Sequence, residues 1–139
     1  MKNFLNLGFI PKNKDFAVLL LRVWIGFSLF IQHGLFKFVH FSQLWGHFPD
    51  PLHFGTYFSL IFSTISDGVC SVLIAFGIAT RPAAIIAAID VLVVFGVLRH
   101  FSFSNGDGEL VYLYLGALLT IIFIGAGKYS LDSKIWGIK

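Results

Sequence analysis

Two aspartates, Asp67 and Asp90, stand inside long runs of apolar residues. An Asp near the centre of a membrane-spanning helix costs about 2.5–3.5 kcal/mol on insertion scales, so each must face protein or water, or carry a proton. Counting about 1.5 Å of helical rise per residue puts Arg22 close to the depth of Asp90, with Asp67 nearer the midplane. We therefore expect a buried polar cluster of Arg22, Asp67 and Asp90, in which Arg22 pairs with Asp90. The cluster is either a structural ion pair that fixes helix register or a site that handles protons or a ligand.

A second set of ionisable residues lies towards the other end of the apolar runs. His33 and Lys37 are one helical turn apart, Arg99 and His100 end the third run, and Glu109 opens the fourth. His and a partly buried Lys are good hydrogen-bond donors for a quinone carbonyl in an apolar pocket, so these five residues are outer-side candidates for ligand binding. In the alternative interpretation the histidines and aromatic residues only lie at the membrane interface and bind no ligand. The spacing includes no HxxxH or HExxH pattern and does not support a metal site.

The composition indicates that lipid surrounds the helices that carry these residues. Hydrophobic residues make up 57% of the chain and charged residues 12%, against about 45–50% and about 25% in soluble domains. A soluble domain of this size could not bury so much apolar side chain. The net charge of +3 is scattered without a basic face, so we expect no nucleic-acid partner.

The hydropathy pattern predicts a single all-α membrane domain over residues 1–139, an integral membrane four-helix bundle. Apolar stretches of membrane-spanning length cover about 17–41, 57–79, 82–99 and 110–126. Residues 42–56 contain Pro49 and Pro51 among aromatics and histidines, and are predicted to form a loop on the outer membrane surface.

The distribution of basic residues predicts the orientation of the bundle. Four crossings place both termini on one side, and eight of the ten Lys and Arg residues fall there. Only Lys37 and Arg99 lie on the other side. By the positive-inside rule the N and C termini are cytoplasmic, as expected for a bacterial-type inner or plasma membrane.

Small and polar residues at helical spacing predict which helix faces point inward, because small residues let helix backbones approach closely in a membrane. The predicted inward faces carry Ser59, Ser63, Asp67, Ser71 and Ala75 on the second helix, Ala83, Ala87 and Asp90 on the third, and Glu109, Tyr112, Gly116 and Thr120 on the fourth.

Several motifs together resemble the DoxX family of small four-helix membrane proteins. The first helix carries Arg22-Val-Trp-Ile-Gly26 and then His33-Gly34-Leu-Phe-Lys37. Gly77-Ile-Ala-Thr-Arg81 ends the second helix, Glu109 opens the fourth, and Gly125-Ala-Gly-Lys-Tyr-Ser130-Leu-Asp132 follows it. The resemblance runs from about Leu19 to Asp132. Asp67 stands where family members often carry Glu.

The resemblance implies a four-helix membrane bundle and, as in some members, association with quinone-linked oxidoreductases, including a thiosulfate-to-quinone enzyme. We therefore expect an accessory or anchor subunit with an oxidoreductase as its partner protein and a quinone as its cofactor. The chain has no Gly-rich nucleotide loop or CxxC motif of its own, which leaves open whether it is an enzyme. The alternatives are a non-enzymatic membrane scaffold or assembly factor, and a small proton-coupled transporter whose pore would require a homo-oligomer.

Overall fold

The computed structural model describes residues 13–103 and 108–137. These residues form helices and connecting loops, with no strand among them, which confirms the all-helical prediction. The Asn105-Gly106-Asp107 sequence, which is typical of a turn, lies outside the described residues, as do the basic residues Lys2, Lys12 and Lys139.

Three of the helices are long and apolar enough to cross a membrane: α1 (Lys14–Val39), α3 (Thr56–Phe76) and α4 (Thr80–Leu98). A fourth apolar helix, α5 (Gly108–Ile124), is shorter, with 17 residues. Two short helices complete the described elements. Of these, α2 (Phe41–Leu44) begins the predicted surface loop, and α6 (Leu131–Trp136) follows α5.

Local sequence signals set the ends of the helices. Asn13 caps α1 by accepting a hydrogen bond of 3.1 Å from the Phe16 N–H, so this helix begins before the predicted span. Gly77 ends α3 in a left-handed conformation, with φ of +73°. A Cβ atom at this glycine would also collide with the Arg22 guanidinium. Helix α3 therefore ends earlier than predicted, where both the turn and the close approach require glycine.

The four longer helices pack as a bundle in which α1 lies mainly against α3, α4 against α5, and α1 also contacts α5. The distribution of apolar and charged side chains in this bundle is the reverse of that in a soluble protein. Large apolar side chains point outward, with Trp24 71% and Phe123 81% exposed, whereas Arg22, Asp67 and Asp90 are buried. Such an outer face is stable against hydrocarbon rather than water.

Each of the three long helices widens into a π-helical segment. The segments are Phe30–Gly34 in α1, Ile65–Cys70 in α3 and Val94–Leu98 in α4. Short π segments inside α-helices are frequently found at functional sites.

Candidate functional site

Helices α1 and α3 approach closely enough to bring Lys37 beside Asp67. Two glycines of α1 make this approach possible. A Cβ atom at Gly26 would stand 2.8 Å from the Ala75 Cβ, and one at Gly34 would stand 2.8 Å from the Gly68 Cα and collide with the Asp67 carbonyl oxygen. The Asp67 backbone therefore occupies the space that a side chain at residue 34 would need. Lys37 follows Gly34 by about one turn, which directs its long side chain along α3.

Lys37 links both buried aspartates. Its ammonium forms an ion pair of 2.5 Å with Asp67 Oδ2 and also donates a hydrogen bond to Ser63 Oγ. Ser63 in turn donates to Asp90 Oδ2 at 3.1 Å. The side chains of Lys37 and Asp67 are only 14% and 8% exposed. One cation thus serves two carboxyl groups in a largely dry environment, where charge-assisted hydrogen bonds are strong.

Lys37, Asp67 and Asp90 line a partly open cavity of about 280 Å³ between the four longer helices, here called the central cavity. All three π segments contribute a lining residue: His33, Asp67 and Val94. A π turn inserts an extra residue and rotates the following side chains around the helix axis. The three widened turns therefore help to determine which side chains face the cavity.

The wall formed by α5 contributes an aromatic residue. Tyr114 is buried, its hydroxyl lies 2.6 Å from Ser28 Oγ, and its ring meets the His33 ring edge to face, with centroids 6.1 Å apart. Arg99 also lines the cavity. The remaining wall includes aliphatic side chains such as Leu29 and Val91. The cavity thus combines hydrogen-bonding side chains of both charges with apolar walls, the usual character of a small-molecule site.

The five outer-side candidates divide into two groups. His33, Lys37 and Arg99 line the cavity together with Asp67 and Asp90. His100 and Glu109 lie outside that lining, and both side chains are exposed.

The predicted pairing of Arg22 with Asp90 is wrong. The Arg22 guanidinium donates hydrogen bonds to the carbonyl oxygens of Ile74, at 3.2 Å, and Tyr129, at 2.9 Å. It therefore joins the end of α3 to the segment before α6, away from the cavity. The predicted depth of Arg22 is therefore also wrong: this side chain meets α3 at Ile74, near the end of the helix, whereas Asp90 meets the same helix at Ser63, in its first half.

A second polar cluster, which sequence reasoning missed, surrounds Asp132. Its carboxylate accepts hydrogen bonds from the backbone N–H groups of Ala79, at 2.7 Å, and Thr80, at 2.9 Å, and from the Thr80 hydroxyl at 2.8 Å. It thus caps the start of α4 from α6. Both segments belong to motifs identified in the sequence, Gly77–Arg81 and Gly125–Asp132, but they are 52 and 53 residues apart in the chain and nothing in their spacing predicts the contact. We assign this cluster a structural role, since capping satisfies otherwise unpaired N–H groups.

The inward face predicted for the fourth helix is also wrong. Glu109, Tyr112, Gly116 and Thr120 are exposed, whereas the buried residues of α5 are Gly108, Tyr114, Leu118 and Ile121. Tyr114 was missed for this reason. Helix α5 is apolar on all sides, so its hydropathy carries little information about which side faces protein.

Comparison with known proteins gives a family match. The family model described as DoxX matches residues 17–100. An uncharacterized protein of Haemophilus influenzae is 30% identical over 138 residues, which cover 91% of this chain and 96% of that protein. No solved structure matches.

Proposed function

Since this chain belongs to the DoxX family of membrane proteins, we propose that it is an accessory or anchor subunit of a quinone-linked oxidoreductase and that its central cavity binds the quinone head group. The single observation that carries this proposal is the cavity itself. It places Lys37, His33 and Arg99 in one apolar-walled space inside a membrane domain.

The residues present fit a quinone head group in size and chemistry. A volume of about 280 Å³ is near the lower end of ligand pockets, roughly 300–1,000 Å³, and suits one substituted ring. A bound quinone would supply an acceptor of electrons and protons. Lys37 would donate a hydrogen bond to a carbonyl oxygen, and His33, one turn earlier on the same helix, would donate a second one. Asp67 and Asp90 would hold or release protons at the cavity wall, which a reduction in a dry site requires.

We propose four crossings, with α5 as the fourth, and cytoplasmic termini in a bacterial-type inner membrane. Two observations support this orientation. Arg22 and Arg81 lie near the end of the bundle that carries α6, whereas Lys37 and Arg99 lie at the cavity end. Single cysteines introduced at exposed positions of α6 and of the loop before α3, in a Cys70→Ala background, would be labelled from opposite sides of the membrane.

The proposed function is tested by binding. Material purified in mild detergent is expected to carry quinone and an oxidoreductase partner detectable by mass spectrometry, and a second copy of the chain if it forms a homo-oligomer. In the double variant Lys37→Met/Asp67→Asn the charges of the ion pair are removed together, and quinone affinity is expected to fall by roughly tenfold or more. Lys134→Met, at an exposed position of α6, is the control. Equal affinity in all three proteins, or no quinone binding by the wild type, would refute the proposal.

A proton-coupled transporter is the second candidate. It is favoured by the hydrogen-bonded series from Asp67 through Lys37 and Ser63 to Asp90. Proteoliposomes would show proton flux that Asp90→Asn abolishes. Flux that is absent, or unchanged in this variant, removes the candidate.

A further inference from the structure

A second cavity lies on the outward side of the α3–α4 contact. It is an apolar groove of about 280 Å³ whose walls include Phe54, Phe58, Phe62, Ile89 and Val93. Phe54 and Phe58 are 73% and 69% exposed. The groove is therefore open to the surroundings of the bundle, which are hydrocarbon for a chain in a membrane.

Asp90 lines both this groove and the central cavity. Its carboxyl accepts the hydrogen bond from Ser63 on the neighbouring helix. Asp90 is the residue that the two linings share, and both Asp90 and Ser63 are buried. A ligand that occupies both spaces therefore has to turn the Asp90 side chain away from Ser63.

The loop before α3 gives the groove a fixed wall. Asp50 accepts hydrogen bonds from the Ser59 hydroxyl at 2.8 Å and from the N–H groups of Phe54, at 3.2 Å, and Gly55, at 2.8 Å. These contacts attach the Phe54 segment to the first turn of α3. The groove is therefore a built feature of the fold and not a gap between loosely held side chains.

We propose that the ligand of the central cavity is a quinone with a hydrocarbon tail, and that this tail passes Asp90 and lies in the apolar groove. The inference rests on the proposed function and names the substrate class of the same site. An amphipathic molecule matches the pair of spaces, since its carbonyl groups meet hydrogen-bond donors and its tail meets aromatic and aliphatic side chains. A quinone without a tail would leave the groove to lipid.

The contribution of the tail is steric rather than hydrophobic. A tail that moves from lipid into an apolar groove gains little, because lipid chains are as apolar as the groove. The wild-type protein is therefore expected to bind tailed and tailless quinones with similar affinity when concentration is expressed per lipid. Filling the groove should penalise only the tailed ligand, since its tail then has no space.

The experiment compares two Ile→Trp variants of the full chain in lipid nanodiscs. Ile89 lines the groove and is 49% exposed, whereas Ile85, one turn earlier on α4, is 45% exposed and outside the groove lining. The probes are a dimethoxy-methyl-benzoquinone bearing a decyl tail and the same ring without the tail. Ile89→Trp is expected to weaken binding of the tailed probe by roughly tenfold or more and of the tailless probe less than about twofold. Ile85→Trp should change neither.

The outcomes separate the inference from the function on which it rests. Unchanged binding of the tailed probe to Ile89→Trp, or equal losses for both probes, overturns the tail assignment and leaves the quinone site standing. Failure of the wild type to bind either probe overturns both. Should Ile89→Trp not fold, Val93→Phe fills the same groove from the same helix, and the same results apply.

Discussion

Removal of the Lys37 charge is expected to destabilise the bundle, and removal of its partner charge as well is expected to restore most of the loss. In Lys37→Met the Asp67 carboxylate loses its ion pair, and Ser63 loses one of its two hydrogen-bond partners. The Asp67 carboxylate then remains in a low-dielectric interior without its ion-pair partner.

The structure sets the size of this effect. Breaking a buried ion pair by removing one partner costs about 3–5 kcal/mol, because an uncompensated charge stays buried. Lys37 and Asp67 are 14% and 8% exposed and their charged atoms are 2.5 Å apart. The small residual exposure favours the lower end of that range, about 3 kcal/mol. Replacing both charges, as in Lys37→Met/Asp67→Asn, removes the buried charge itself and should bring stability back to within about 1 kcal/mol of the wild type.

The assay is a double-mutant cycle on the purified protein. Unfolding by SDS titration from mild-detergent micelles, followed by tryptophan fluorescence, gives the free energy of unfolding of the wild type, the two single variants and the double variant. The coupling energy is expected to be about 2 kcal/mol or more. Lys134→Met, outside the bundle interior, should lie within about 0.5 kcal/mol of the wild type. Additive single-variant losses, or a neutral Lys37→Met, would refute the reasoning that this lysine holds a buried negative charge in place.

Three further predictions concern helix packing, helix capping and the loop before α3. Gly34→Ala should lower the free energy of unfolding by about 1–3 kcal/mol, because its methyl group would overlap the α3 backbone. The control Gly116→Ala has open space around it and should be neutral or stabilising by up to about 1 kcal/mol. Equal thermal midpoints for the two variants would contradict this packing. Asp132→Ala should cost about 1–3 kcal/mol in the same unfolding assay, since it removes three hydrogen bonds at the start of α4, and a neutral result would show that the cap contributes nothing. The hydrogen bond from Ser59, with those from two backbone N–H groups, holds the pKa of Asp50 below its usual value, so its stabilising contribution is present at neutral pH and is lost as pH falls below about 4. Carbon-13 NMR titration of the carboxyl should show a higher pKa in Ser59→Ala, and an unchanged value would contradict the assignment.

The sequence predicted the class of fold because that depends on composition and on one-dimensional pattern. Long uncharged runs are stable only as helices in hydrocarbon, since every backbone N–H and C=O must be paired within the run. The small-residue pattern also identified the inward face of α3, where Ser63, Asp67 and Ser71 are buried, and of α4, where Ala83 and Asp90 are buried. Polar side chains within a span are stable mainly at the contacts between helices, because lipid offers them no hydrogen-bond partner.

The same pattern failed for α5, because its polar and small residues are compatible with the outer surface. Glu109 and Tyr112 stand near the start of the helix, where a membrane interface would accept polar side chains. Gly116 and Thr120 would cost little in contact with lipid, since the Thr120 hydroxyl donates a 2.8 Å hydrogen bond to the Gly116 carbonyl of its own helix. Because either face of α5 could be exposed at little energetic cost, packing against α4 decided which face is buried.

By itself, the sequence determined that Asp67 and Asp90 had to be sheltered from lipid and that Lys37 and His33 share a helix face. Only the tertiary structure decided that Lys37, and not Arg22, is the partner of Asp67. The physical reason is that pairing depends on how neighbouring helices are offset along their axes, which counting residues within each span does not give. The close approaches of Gly26 to Ala75 and of Gly34 to Asp67 set this offset for α1 and α3. They place Arg22 beside Gly77 and Lys37 beside Ser63.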